Sequence, residues 1–270
     1  MERRYAELHA HSAFTFLDGT DEPARMVEEA ARLGLDALAI LDVDGMYSTV
    51  QTTVAARAAG LPIVYGAELT LALDALRGIV AGSSAPGWGL APGAEDPGMR
   101  LPILAASPSG YANLVGAMSE RALSEPGQRK PRHDLVNLSE AGGGLVALTG
   151  GRRGPLMRAL RAGGALSARR VLDVLVDAFG RDHVLVEWQG ARGDEDEVGE
   201  VLAELARASG TRLVATSGAR MSSPSKQALG DILAANRLGS SLDEAEAHLG
   251  AHRSFLLSPA EMVQLHGAHP

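Results

Sequence analysis

Short apolar runs alternate with amphipathic stretches along nearly the whole of this 270-residue chain, and that rhythm leaves few folds open. Residues 5–9 (YAELH), 37–41, 62–67, 101–105, 144–148, 183–188 and 212–216 read as strands. Residues 21–33, 46–59, 109–123, 155–162, 167–179, 195–209 and 223–236 read as helices. Asp21 stands where an N-cap belongs, Pro23 falls in the first turn that follows, and Gly34 and Gly60 close their helices. Strand–helix–strand crossovers predict a parallel sheet with right-handed connections. The strands are short and apolar on both faces, which predicts a closed (β/α) barrel, with an open doubly wound sheet as the alternative. No G-x-G-x-x-G follows the first strand and no P-loop occurs, so a nucleotide-binding open sheet gains no support.

Residues 82–99 and 124–133 are rich in loop-forming residues and read as excursions. Beyond about residue 238 the rhythm stops; 242–249 reads as a short helix and 253–257 (RSFLL) as a short strand. This divides the chain into a barrel over 1–237 and an extension over 238–270, and the absence of a closing element predicts that the chain is cut from something longer.

An apolar content of 46% is ample for a core. The net charge of −8 argues against a protein that coats nucleic acid by overall charge, although it leaves room for a local basic face. Arg152, Arg153, Arg158, Arg161, Arg169 and Arg170 fall close together, and Arg129, Lys130, Arg132 and His133 form a second group. Their plain reading is solvated helix faces and turns; their functional reading is a docking face for protein or nucleic acid. There is no cysteine, which removes disulfides, thiolate zinc sites and thiol nucleophiles together. No apolar run approaches the roughly 20 residues that span a bilayer. The start, Met1-Glu2-Arg3-Arg4-Tyr5, has no apolar signal region, so a cytoplasmic location is the expectation.

The chemistry opens at Leu8-His9-Ala10-His11-Ser12. Two histidines at i and i+2 on an extended segment point the same way and can reach one ion. Parallel strands gather functional groups at their carboxyl ends, where Asp42, Asp44 and Glu68 join the histidines. Two imidazoles and two or three carboxylates suit zinc, manganese or iron, and a bound ion would activate water for phosphoester hydrolysis. The later strands lead into Thr149-Gly150-Gly151-Arg152-Arg153 and Ser217-Gly218-Ala219-Arg220, and the strand at 101–105 follows Arg100. Glycine has no ligand atom and arginine repels a cation, so half the rim lacks donors. Thr149-Gly150-Gly151 is also a candidate anion nest, or simply a turn. Ser12 beside His11 is a weak nucleophile candidate, because no Asp is placed by spacing to orient that imidazole.

The stretch 6–19 (AELHAHSAFTFLDG) closely resembles the opening of the PHP domain (polymerase and histidinol phosphatase) of bacterial C-family DNA polymerases, and is most similar to their error-prone branch. The resemblance continues at 28–35, 37–47, 65–69, 110–114, 130–135, 144–150, 179–184, 213–216 and 255–262, in order along the chain. It implies a distorted seven-stranded (β/α) TIM-like barrel whose rim holds up to three metal ions. Of the family's ligand positions, it assigns His9, His11, Asp42 and Glu68 as retained. Val43, Arg100, Gly151, Gly218 and Arg220 stand where the family has further ligands. The four retained residues are then a partial, vestigial metal site that takes no ion or one weakly bound zinc or manganese. The implied role is a structural or docking platform for a polymerase body in cis or in trans, with other replication proteins or nucleic acid as further partners, and with no catalysis by this chain alone. A stand-alone metal-dependent phosphoesterase using His9, His11, Asp42 and Glu68 is the alternative.

Overall fold

The computed structural model describes residues 4–72, 76, 98–124, 132–141, 143–190, 195–245 and 254–266. Strand β1 (Ala6–Ala10) leads to helix α1 (Pro23–Arg32), β2 (Ala37–Ile40), α2 (Thr49–Ala59), β3 (Ile63–Val64) and β4 (Gly66–Leu71). Then come β5 (Met99–Ala105), α3 (Pro108–Ser124), α4 (Leu135–Glu140), β6 (Leu145–Leu148), α5 (Pro155–Phe179) and β7 (Val184–Trp188). Helix α6 (Glu195–Ser209), β8 (Arg212–Ala215), α7 (Gln227–Leu238), α8 (Leu242–Ala245) and α9 (Pro259–His266) complete the order.

The sheets depart from the all-parallel expectation. Strands β1, β2 and β3 form one parallel sheet, and β4 to β8 form a second in sequence order. Within the second, β4–β5 and β5–β6 are antiparallel, while β6–β7 and β7–β8 are parallel. Met99 at the start of β5 pairs with Leu71 at the end of β4, so β5 runs against its neighbours, and direction is set by that pairing rather than by the apolar run. Among the described residues the two sheets are not closed into a barrel by continuous strand ladders. They are linked by a bridge between Val43 and Glu68, and by the backbone N–H of His11 donating to the carbonyl of Ala219 at 2.7 Å.

The expected strand at 62–67 is two short strands that belong to different sheets, β3 and β4. The expected strand at 253–257 is reduced to a single bridge between Met221 and Phe255. Helices α4 and α9 were not expected; both are short, and neither shows a full period of apolar residues. Of the two excursions, 82–97 and 125–131 lie outside the described residues, as do 246–249. Asp21 does not cap α1: the N-cap is Glu22 without a side-chain bond, and Asp21 instead accepts from the backbone N–H of Ser222. The two helices expected at 155–162 and 167–179 are the two arms of α5, which breaks at Gly163 and Gly164; Gly164 has φ +67°.

Helix α1 buries Pro23, Met26, Val27 and Ala30, one face at helical spacing, against Leu38 and Ile40 of β2. A larger core joins β4–β7 to α3–α6 through Leu69, Ile103, Ala147, Val186 and Leu172. A third cluster draws on both sheets: Ala39, Leu41, Leu104 and Leu148 pack with Val146, Leu185 and Val214. Strand side chains alternate between faces. The face that carries Leu104, Leu185 and Val214 therefore also carries Arg100 of β5 and Glu187 of β7, two or more residues nearer the strand ends. An apolar layer thus lies beneath a charged one.

Candidate metal centre at the mouth of the strands

His9, His11 and Glu68 converge, with one ligand atom from each lying within 4.8 Å of the others, and all three side chains are buried. Glu68 Oε1 is 3.3 Å from His9 Nε2, and Oε2 is 3.7 Å from His11 Nε2. Neither Nε2 has a geometrically sound hydrogen bond among the described residues.

The two imidazoles are held differently. His9 Nδ1 donates to Glu187 Oε1 at 2.8 Å. Glu187 is fixed in turn by the hydroxyl of Thr216 and by the amide of Gln189, at 2.9 Å. Burial pushes the His9 imidazolium down, but Glu187 and Glu68 outweigh it and lift the group to about 10. His11 Nδ1 meets Thr15 Oγ1 at 3.2 Å, and that hydroxyl donates its proton to Asp42 Oδ1 at 2.8 Å. Thr15 therefore accepts from His11, which places the His11 proton on Nδ1 and a lone pair on Nε2. Burial, with no carboxylate on Nδ1, lowers His11 to about 3. For Glu68, burial acts upward, but His11, His9 and Arg100 prevail and hold the carboxylate below its ordinary range.

Asp42 is not brought to the cluster. Its Oδ1 and Oδ2 accept from the hydroxyl of Ser12 at 3.0 and 2.9 Å, and Oδ1 also accepts the Ser12 backbone N–H. It lies one hydroxyl behind His11 and positions the loop that orients the ring. Asp44 likewise serves the backbone, accepting from the N–H of Thr70 at 2.6 Å and its hydroxyl at 2.7 Å, at φ +52°. Ser12, with both its polar groups committed to Asp42, has no histidine partner among its hydrogen bonds.

The opposite half of the mouth is filled. A Cβ on Gly151 would lie 1.8 Å from Gln189 Oε1, and one on Gly218 would lie 2.7 Å from the same amide, so Gln189 takes the space side chains at 151 and 218 would use. Because β5 runs in reverse, its first residues reach the mouth, and Arg100 Nη1 comes within 3.9 Å of Glu68. Arg220 and Arg153 both bind Asp18 Oδ2, at 3.1 and 3.2 Å, and Arg237 binds Oδ1 at 2.5 Å. Burial would raise the Asp18 carboxyl, but the three guanidiniums hold it well below its usual range.

The donor set of two imidazole nitrogens and one carboxylate, with both nitrogens buried and facing the carboxylate, fits one divalent ion such as zinc or manganese, which would have to displace the proton that His9 carries on Nε2. It does not fit a bridged pair, since amide and guanidinium groups stand where further donors would be needed. Glu187, Gln189 and Asp18 were missed by sequence reasoning. A carboxylate inside the apolar run HVLVEW was the available signal for Glu187. The arginine groups do not form one outward face: Arg153 turns into the mouth, Arg158 is buried and Arg169 pairs with Asp173, while Arg129 and Lys130 lie outside the described residues.

An error-prone DNA polymerase of Mycolicibacterium paratuberculosis is 42% identical over 98% of this chain, and one of Mycobacterium tuberculosis is 41% identical over 97%. The chain spans only 23% of the length of either protein. Among solved structures, a Bifidobacterium adolescentis protein described as a metal-dependent phosphoesterase shares the fold, with a TM-score of 0.50, 18% identity and coverage of 80% of this chain and 88% of that one. The PHP domain family matches residues 7–191, well over half of the sequence, and the chain accordingly belongs to the PHP domain family.

Proposed function

We propose that this chain is the N-terminal PHP domain of an error-prone DNA polymerase III alpha-like subunit, or a truncated product of such a gene, and serves as a structural and docking platform rather than as a hydrolase. The observation that carries this is the occupation of half the mouth by Gln189, Arg100 and Arg220, which leaves His9, His11 and Glu68 as the candidate cation ligands among the described residues. A single ion held there would polarise one water. A bridged pair, on which catalysis of this type usually relies, lacks the further donors it needs among the described residues. Asp42 and Glu187 then act as positioning residues for His11 and His9.

The coverage of about a quarter of the larger relatives supports a polymerase body in cis as the partner. In this reading residues 1–237 are the platform and 238–270 the lead toward that body, in the cytoplasm. Among the described residues no helix is long and apolar enough to cross a membrane. We also read the two sheets as parts of one distorted barrel; the shared third cluster and the His11–Ala219 and Val43–Glu68 links support it.

The test is a colorimetric phosphatase assay with added manganese or zinc, run beside elemental analysis. The expected outcome is no turnover and at most one equivalent of metal. Turnover that disappears in His9→Ala, with metal near or above stoichiometric amounts, would establish the phosphoesterase alternative instead.

A further inference from the structure

Helix α2 presents its larger apolar residues outward. Its buried residues are Thr52 and Ala56, while Val50 and Val54 are 74% and 65% exposed. The Thr52 hydroxyl is buried without a hydrogen-bond partner among the described residues. Valine is a poor helix former and gains nothing from exposure, so neither the core nor local propensity accounts for this pair. Tyr47, in the turn before the helix, is 62% exposed, and its ring lies over Gly45, where a Cβ would meet it at 2.0 Å. Arg57 is also exposed and is the only charged residue of α2.

Tyr47, Val50, Val54 and Arg57 stand at i, i+3, i+7 and i+10, the spacing of one helix face that seats a second helix. Ser48 has helical dihedrals, φ −80° and ψ −12°, so the turn that carries Tyr47 continues the helical path. This spacing is symmetric about Thr52. A second copy laid antiparallel across the face, with the two-fold axis at residue 52, sets Val50 against the partner's Val54 and Tyr47 against the partner's Arg57, each pair occurring twice. Arg57 lines an open groove of about 240 Å³ with Thr53, Leu61, Pro62 and Tyr65, where an aromatic ring can lie against the guanidinium. The antiparallel arrangement keeps the two Arg57 side chains about 15 Å apart along the helix axes. Helix α1, which packs beside α2 through Met26, Val27 and Ala30 against Ala56, has its exposed charges already paired, Arg25 with Glu28 and Arg32 with Glu29, and supplies a polar rim.

We propose that the outer face of α2 is a dimerisation surface whose occupant is a second copy of this chain, joined as an antiparallel helix pair through Tyr47, Val50, Val54 and Arg57. Few side chains from each copy take part, so the interface is small and the pair is weak. The proposal is independent of the reading of the metal centre and of the platform role.

The experiment is sedimentation velocity on the full 270-residue chain over a concentration series, with circular dichroism to check that each variant keeps its fold. Expected is a monomer–dimer equilibrium with a dissociation constant on the order of tens of micromolar. Val54→Glu sets a carboxylate against the partner's Val50 at two places and should weaken it about tenfold or more. Val50→Ser should weaken it without adding charge. Tyr47→Ala and Arg57→Ala should each weaken it, and together by less than the product of their separate effects. Leu123→Ser, which removes a leucine 78% exposed on α3, should leave it unchanged. The chain has no cysteine, so a single introduced one reports the geometry. Under mild oxidation Gln51→Cys, beside the two-fold axis, should give a disulfide-linked dimer. Ala58→Cys, whose two copies stand about 18 Å apart along the helix axes, should not. A monomer at every concentration, or a dimer unmoved by Val54→Glu, overturns the proposal and leaves α2 to the polymerase body or to solvent. Equal weakening by Leu123→Ser overturns it as well, because the association is then unspecific. Equal cross-linking at positions 51 and 58 overturns the antiparallel pair.

Discussion

At the scale of single residues, the mouth shows how neighbours set the chemistry of identical side chains. His9 and His11 stand two apart on one segment, yet a carboxylate on Nδ1 keeps one protonated while a hydroxyl on Nδ1 leaves the other neutral. Asp18 is the clearest case for a pH experiment. Its folded value lies well below the unfolded one of about 3.9, so its contribution to stability is complete above that unfolded value and is lost as pH falls below it. Asp18→Asn leaves three partly buried guanidiniums without their carboxylate and should cost about 3 kcal/mol near neutral pH. Chemical denaturation should show the gap between variant and parent narrowing as pH is lowered from 6 to 3. A gap independent of pH would mean that the arginines do not depend on the charge of Asp18.

At the scale of elements, two glycines do different work. Gly164 breaks α5 at φ +67° and ψ −168°, a backbone that glycine adopts far more readily than other residues, with nothing within 4 Å of a would-be Cβ, so Gly164→Ala should cost the strain of that conformation alone, about 2 kcal/mol. Gly19 closes the loop after β1, and a Cβ there would lie 1.9 Å from the carbonyl oxygen of Ser12. Gly19→Ala must push apart the loop that carries Thr15 and Asp18. It should therefore destabilise the protein more than Gly164→Ala and weaken zinc binding in a chelator competition, an effect Gly164→Ala should not have. The periodic elements were legible in the sequence because each buries a face at its own period: Met26, Val27 and Ala30 on α1 show it for helices. The reversal of β5 was not, because apolar runs carry no information about direction. That reversal brings Arg100 to the mouth beside Glu68.

At the scale of the whole molecule, the two sheets share one inner cluster, and this should make them unfold together. Leu148 is fully buried in it, packed with residues from both sheets. Leu148→Ala should cost about 2–5 kcal/mol. Far-ultraviolet circular dichroism and tryptophan fluorescence should still report one coincident transition, shifted to lower denaturant. Separate midpoints for the two probes would show that the sheets are independent units.

The sequence by itself determined the α/β alternation, the helix stops at Gly34 and Gly60, and the pair of histidines that opens the site, because these depend on local period, turn chemistry and spacing. It also showed that residues 100, 151, 218 and 220 offer no ligand atoms. The tertiary structure alone decided that Asp42 serves a loop instead of the cluster, that Glu187 and Gln189 stand against His9, and that three arginines share Asp18. Those relations join residues as far apart as 9 and 187 or 18 and 220, and only the packing of the sheets brings such distant side chains within hydrogen-bonding range.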